Sequence, residues 1–260
     1  MLRSPGPIAL QVGPVSIRWY GLLMASAMGL GLWLAYRDAR RRGMDGDSLL
    51  RCAEVALIGA LVGARLYYVA FNLDYYLRQP WKIVAVWEGG LAIHGGLIGG
   101  LLVGALYAWR RALPLRRYLD VVAPSLALGQ AIGRWGNFFN EEAFGTPTDL
   151  PWKLYISPGQ RPLAYASTEH FHPAFLYESL WDLGTFVLLR WALRDRLDRA
   201  PGALFLAYLG IYSVGRFMTE AIRTDPLMLG PIRVAQLVSV LCVALALVGI
   251  PLLLRRPATP

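Results

Sequence analysis

The stretch Gly133–Gly145, G-R-W-G-N-F-F-N-E-E-A-F-G, gathers an arginine, two asparagines and two glutamates at the end of an apolar run. Arg134, Asn137, Asn140 and Glu141 fall three and four residues apart, so a continuing helix puts several of them on one side. Polar groups at membrane depth are costly unless paired or wetted, which makes them candidates for function. Tyr212, Arg216 and Glu220 follow at i, i+4 and i+8, close to one helical stripe, although Arg216 and Glu220 also read as a plain ion pair. Arg65, Arg134 and Arg216 carry more positive charge than Glu142, Glu178 and Glu220 neutralise if one glutamate is protonated or faces water. Guanidinium forks match phosphate oxygens, so an anionic lipid head group is the natural third party. His94 opens H-G-G-L-I-G-G and can move a proton near neutrality, and the flanking Gly95 and Gly96 allow close approach of a ligand. A hydrogen-bonded structural histidine is the competing reading. No second histidine or cysteine stands at helical ligand spacing from His94, so no metal is expected.

The elements that must position these residues are those of a membrane protein. The chain has 260 residues, 56% hydrophobic and only 17% charged, against about 45–50% and about 25% in soluble domains. The net charge of +9 is almost all arginine, since Lys82 and Lys153 are the only lysines. These arginines cluster in short loops between apolar runs, where the positive-inside rule explains them better than nucleic-acid binding does. Cys52 and Cys242 lie in or beside apolar runs and read as inert thiols. The N-terminus lacks the ordered basic, apolar and small-residue regions of a cleavable signal, so none is expected.

Taken in order, the chain predicts an all-α polytopic protein with seven transmembrane helices. The expected spans are about 17–36, 50–71, 91–109, 118–137, 174–193, 203–222 and 234–254. Residues 1–16 read as a short segment rich in proline and glycine. Pro124 is expected to kink the fourth span. A proline- and aromatic-rich outer loop is expected at about 138–173, within a single membrane domain of residues 1–260. Arginine-rich first, third and fifth loops and a C-terminus with Arg255 and Arg256 put the N-terminus outside and the C-terminus in the cytoplasm. With that orientation Tyr20, Arg65, His94, Arg134, Glu178, Asp182, Tyr212 and Arg216 all fall toward the outer leaflet, which predicts a polar cavity open on that side. Glycines at four-residue spacing, among them Gly59, Gly63, Gly96, Gly100 and Gly104, read mainly as helix-packing positions. No internal repeat is evident.

At these residues the chain resembles the prolipoprotein diacylglyceryl transferase family, over nearly its whole length. The Gly133–Gly145 signature carries most of the resemblance. Supporting matches are I-R-W-Y-G at Ile17–Gly21, G-A-R-L at Gly63–Leu66, H-G-G-L-I-G at His94–Gly99, H-P-A-F-L-Y-E at His172–Glu178 and Y-S-V-G-R-F-M-T-E at Tyr212–Glu220. One departure is Val234–Ser239, where the family often has a glycine before the glutamine. The resemblance implies a multi-pass enzyme of the bacterial inner membrane that needs no cofactor. It would move the diacylglyceryl group of phosphatidylglycerol to the lipobox cysteine of a prolipoprotein signal peptide, releasing glycerol 1-phosphate. It implies that Arg134 and Arg216 bind the lipid phosphate and stabilise the departing charge. His94 or Tyr20 would assist deprotonation of the thiol. Asn137, Asn140 and Glu142 would orient the head group and the arginines, and Gly145 would permit a tight turn. Tyr212 and Glu220 would support Arg216, with Arg65, Gly95 and Gly96 also at the binding site.

Two other classes compete. A transporter would use the outer cavity as a vestibule, but it usually shows related halves and a midplane site. An intramembrane protease needs a serine–histidine dyad or paired aspartates at depth, and neither is suitably placed.

Overall fold

The computed structural model describes residues 1–255, so Arg256 lies outside the described residues. Short strands β1 (Leu2–Arg3), β2 (Ile8–Val12) and β3 (Val15–Arg18) lead into α1 (Trp19–Arg41). Then come α2 (Gly46–Ala70), α3 (Leu73–Arg78), two 3-10 turns at Pro80–Val84 and Val86–Glu88, α4 (Ile93–Arg110) and α5 (Leu115–Asn140). Strands β4 (Leu154–Tyr155) and β5 (His170–Phe171) precede α6 (Ala174–Val187), a π-helical stretch at Leu188–Leu193 and α7 (Arg194–Leu197). The chain closes with α8 (Ala203–Glu220), β6 (Met228–Leu229), β7 (Ile232–Arg233) and α9 (Val234–Leu254). It is thus mostly helical. Among the described residues, α1 and α9 are long and apolar enough by composition to cross a membrane.

Two compact units make up the chain. One comprises Met1–Ala35 and the residues from Leu119 onward, and the other is Tyr36–Tyr118. The smaller unit is built on the pairing of α2 with α4. Gly59 and Gly63 of α2 meet Gly95 and Gly99 of α4, and each glycine lies against a carbonyl of the facing helix. A methyl on Gly59 would sit 2.9 Å from the Gly99 oxygen, and one on Gly63 would overlap the Gly95 oxygen. Backbones can approach this closely only where no Cβ intervenes. Helix α2 is started by Asp45, whose carboxylate accepts the Asp47 N–H at 3.0 Å and the Ser48 hydroxyl at 2.5 Å. The Ser48 hydroxyl bond is the largest effect holding the exposed Asp45 carboxyl below its usual range.

In the larger unit three side-chain ties fix α5, α6 and α8. Asp120 of α5 accepts the Gly202 and Phe205 N–H groups at 2.6 and 2.8 Å, so a carboxylate satisfies the otherwise unpaired start of α8. Trp135 Nε1 donates to Ser179 Oγ at 3.2 Å, and Ser179 donates on to the Ala131 carbonyl at 2.8 Å, joining α5 to α6. Trp181 Nε1 donates to the Ile211 carbonyl at 2.8 Å, and its ring lies where any side chain on Gly215 would be, joining α6 to α8. An apolar cluster that includes Ala123, Ala127, Leu189, Leu204 and Tyr208 fills the space below.

The segment after α5 is better ordered than the long loop expected from the sequence. Phe138–Asn140 still belong to α5, and Pro124 sits inside that helix without ending it. Beyond them Phe144, Leu154, Ile156 and Phe171 pack with Phe138 and Phe175 in a second apolar cluster. The N-terminal β1 pairs parallel with β4, and β4 pairs antiparallel with β5, making a three-stranded sheet. Residues 1–16, read from the sequence as a short segment rich in proline and glycine, therefore contribute structure. If the glycine contact holds α2 to α4, Gly63→Ala should lower stability by about 1–3 kcal/mol, as overpacking does. A clear drop in the melting temperature of the purified protein in detergent is expected, and an unchanged value would refute it.

Candidate functional site

The centre of the larger unit is a charge cluster. Glu178 of α6 is 5% exposed; its Oε2 forms an ion pair with Arg134 Nε at 2.8 Å, and its Oε1 accepts Arg216 Nη1 at 2.6 Å. The same Oε1 accepts the Thr219 hydroxyl at 2.9 Å. Arg216 Nη2 also pairs with Glu220 Oε2, one turn along α8. Arg233 in turn donates to the Glu220 carbonyl. Three helices thus converge on two guanidinium groups. The Arg216–Glu220 ion pair read from the sequence is present, but it is one side of a larger cluster.

The two arginines differ in what they have left to offer. Arg216 is held between two carboxylates. Arg134 is engaged only through Nε, its side chain is 19% exposed, and Nη1 and Nη2 make no hydrogen bond among the described residues. That leaves a planar pair of donors, the arrangement that suits a phosphate or carboxylate.

Around this centre the predicted residues fall as follows. Glu142 accepts Asn137 Nδ2 at 3.0 Å and Asn140 Nδ2 at 3.4 Å, so these three form one polar group at the end of α5. Glu142 makes no ion pair among the described residues; it orders amides rather than neutralising an arginine. Tyr20 is exposed and packs its ring on α5 at Gly136, where a methyl would come 2.5 Å from Cδ2. Tyr212 stacks on Tyr208 with ring centroids 6.0 Å apart, and Tyr208 donates to Gln130 Oε1 at 2.9 Å. Gly145 does not carry the turn. The left-handed residues are Glu141 (φ 52°) and Ala143 (φ 57°), where a side chain costs energy and strain often marks a site. Gly145 is needed for close approach instead: a methyl there would meet His172 Cβ at 2.8 Å and the Ile222 carbonyl at 3.2 Å.

The remaining predicted residues belong to the smaller unit. His94 lies exposed in the first turn of α4, its ring centroid 6.1 Å from that of Tyr67. Gly95 is a packing residue against Gly63 and Tyr67, and Gly96 faces Ala60 and Ala64. Arg65 departs most from expectation. It is buried, and donates to the carbonyls of Lys82, Ile83, Ala85, Gly89 and Gly90, at 2.5–3.3 Å. Its guanidinium also lies over the Tyr76 ring at 5.2 Å. Arg65 therefore ties down the segment 80–90, with little capacity left for a ligand.

Sequence reasoning placed Glu178 in the polar cavity, among the glutamates facing the arginines, but gave it no binding or catalytic role, and it left out Thr219 and Arg233, although Thr219 lies within a motif already singled out. Asp182 belongs here too: it is buried one turn beyond Glu178, and its Oδ2 has no hydrogen-bond partner among the described residues. If Glu178 neutralises the arginine pair, Glu178→Ala should destabilise by about 3–5 kcal/mol, as loss of one partner of a buried pair does. Glu178→Gln, which keeps the shape and an acceptor, should cost clearly less. Equal melting temperatures for the two variants would contradict this.

Comparison with known proteins bears on the whole chain. A family model described as prolipoprotein diacylglyceryl transferase matches residues 7–252. A relative from Synechococcus elongatus is 54% identical over 251 residues, covering 95% of this chain and 87% of the relative. One from Trichormus variabilis is 50% identical over 260 residues, covering 98% and 92%. One from Gloeobacter violaceus is 46% identical over 256 residues, covering 98% and 95%. All three carry the name phosphatidylglycerol–prolipoprotein diacylglyceryl transferase. Matches of this extent and identity, over a chain with these motifs, mean that it belongs to the prolipoprotein diacylglyceryl transferase family.

Proposed function

We propose that this chain transfers the diacylglyceryl group of phosphatidylglycerol to the lipobox cysteine thiol in the signal peptide of a prolipoprotein, the first step of bacterial lipoprotein maturation. The thiol gives up its proton and its sulfur bonds to the glyceryl carbon. The C–O bond from that carbon to the phosphate breaks, and the electron pair leaves with glycerol 1-phosphate. The observation that carries the reading is the pair of uncommitted Nη donors on Arg134 beside the clamped Arg216. Arg134 grips the phosphate, and Arg216 keeps the local potential positive as charge develops on the leaving group. Asn137, Asn140 and Glu142 orient the head group, and Tyr212 and Glu220 support Arg216. Gly145 lets the strands close behind the site, and Gly95 and Gly96 keep the backbone beside His94 slim.

We read residues 1–260 as one seven-span domain of the bacterial inner membrane, N-terminus outside, with an outer segment at about 138–173. Helices α1 and α9 are the apolar ones, whereas α2, α5, α6 and α8 carry Arg65, Arg134, Glu178 and Arg216. Charged groups are tolerated at membrane depth where they pair or meet water, so these side chains do not count against spanning by their helices.

The acceptor of the thiol proton is His94 or Tyr20, or the arginines lower the thiol pKa enough that no dedicated base is needed. Transfer is measured in mixed micelles of phosphatidylglycerol with a lipobox peptide, following thioether formation. Arg134→Ala should lose about 10²–10³-fold in rate, the usual effect of removing one donor to developing charge, with the protein still inserted. Near-normal lipidation would overturn its role. His94→Asn should change the pH dependence of the rate if His94 takes the proton; full activity with an unchanged profile would assign that task elsewhere.

A further inference from the structure

The larger unit contains the same small device twice. Strands β2 and β3 turn at Val12-Gly13-Pro14-Val15, and β6 and β7 turn at Leu229-Gly230-Pro231-Ile232. Gly13 and Gly230 have φ of 56° and 59°, the positive value that a tight hairpin needs at its first central residue. Each hairpin ends in Ile-Arg, and the next residue starts a helix: Ile17-Arg18 before α1, Ile232-Arg233 before α9. Among the described residues, those two helices are the ones long and apolar enough by composition to cross a membrane.

Pairing gives the first hairpin an apolar and a polar side, and the second an apolar side and a mixed one. In the first, Leu10 opposes Ile17, Gln11 opposes Ser16, and Val12 opposes Val15. Side chains of opposed residues share a face and alternate along the strand, so Leu10, Val12, Val15 and Ile17 share one face, and Gln11 and Ser16 the other. Val12 and Val15 are each 60% exposed. In the second, Met228 opposes Arg233, which reaches back to the Glu220 carbonyl, while Leu229 and Ile232 share the opposite face. Leu229 is 65% exposed. The first hairpin is anchored at its base: the Trp19 N–H donates to the Pro7 carbonyl at 3.0 Å, and the Trp19 ring stacks on Phe139 of α5 at 4.7 Å. A two-stranded hairpin with a bare apolar face is marginal in water.

We propose that the two hairpins are paired lipid-seated wedges, the faces Leu10/Val12/Val15/Ile17 and Leu229/Ile232 resting on the acyl chains just beneath the head groups of one leaflet. The occupant follows from continuity, because each apolar face runs directly into a helix whose outward surface is itself apolar, with Leu22, Met28 and Leu30 exposed on α1 and Val238, Leu241 and Leu245 on α9. The depth follows from the backbone. Unpaired strand edges are not tolerated in hydrocarbon, so the hairpins lie at the interface, with edges and Arg18 among phosphates and water. The proposal rests on the membrane reading above, and on both helices entering from the same side.

The test uses nitroxide labels placed singly at Val12→Cys, Leu229→Cys, Gln11→Cys and Leu245→Cys in the full chain carrying Cys52→Ala and Cys242→Ala. The protein is reconstituted in bilayers containing phosphatidylglycerol. Oxygen concentrates in lipid and a nickel chelate in water. Labels at Val12 and Leu229 should show an oxygen-to-nickel accessibility ratio several-fold above that at Gln11, and below that at Leu245. Ratios equal to Gln11, with Leu245 still in lipid, would overturn the wedges and leave the membrane reading standing. A watery Leu245 would overturn both. Labels shielded from both reagents would mean that protein, a second copy included, covers the faces, and would also refute the proposal. In the unaltered chain, a phospholipid with a photoreactive group high on its acyl chain should label peptides spanning 8–18 and 227–233; no adducts there alongside adducts on α9 would refute it independently.

Discussion

Glu178 pairs with one guanidinium on each carboxylate oxygen, at 2.8 Å from Arg134 and 2.6 Å from Arg216, while itself almost fully buried. Two cations brought from different helices to the same depth would repel, and each would carry a desolvation penalty of several kcal/mol. At an effective dielectric constant of about 20, an opposite charge about 4 Å away returns about 4 kcal/mol. One carboxylate between two guanidinium groups draws on that attraction twice. The arrangement holds only if α5, α6 and α8 meet in one register. The Asp120, Ser179 and Trp181 bonds enforce that register at points away from the charges. Stability and site geometry are therefore one problem in this part of the chain.

The end of α5 meets the same constraint in its backbone. The helix must stop soon after Arg134 and deliver Asn137, Asn140 and Glu142 to one place. The chain turns there through left-handed Glu141 and Ala143, an arrangement that local sequence would not choose. It is held from outside. The Glu141 carboxylate accepts the Ser157 N–H at 2.7 Å, and the Gly145 N–H reaches the His172 carbonyl at 2.9 Å. The ordered segment around Phe144, Leu154, Ile156 and Phe171 is thus a brace for the helix end, which explains why so long a connection has an apolar core of its own.

Much of this was legible in the sequence because long apolar helices follow simple rules. Every expected span from Leu50 onward lies on helix in the structure except for one or two end residues, and α9 begins at Val234 and ends at Leu254, as the apolar run does. Spacing on one helix was equally readable, as with Arg216 and Glu220. Relations between helices were not. Nothing local says that Glu178, rather than Glu142, lies between the arginines, since each is a carboxylate within one of the polar motifs. The short hairpins were missed because strands of two to five residues are too short for alternation to stand out. Proline and glycine at Gly13-Pro14 and Gly230-Pro231 read as loop until φ and pairing are known.

Arg65 shows why charge counting alone misassigns residues. By sequence it equals Arg134, a lone arginine in an apolar helix, and both were expected to leave charge for an anion. In the structure Arg65 spends its donors on five backbone carbonyls, whereas Arg134 spends one nitrogen on one carboxylate. Carbonyl dipoles satisfy the hydrogen bonds of Arg65 and remove its geometry from use, so its buried charge holds the chain between Lys82 and Gly90 in place. A segment that turns through two 3-10 elements and two positive-φ glycines brings several carbonyls, two of them already accepting a turn N–H, within reach of one guanidinium, and one fork can bond several of them at once. The discriminating quantity for a buried arginine is therefore the number of its N–H donors left uncommitted by the fold. By that measure Arg134, whose two Nη groups make no hydrogen bond among the described residues, has more to offer an anion than Arg65 has, and more than Arg216, which two carboxylates hold beside it.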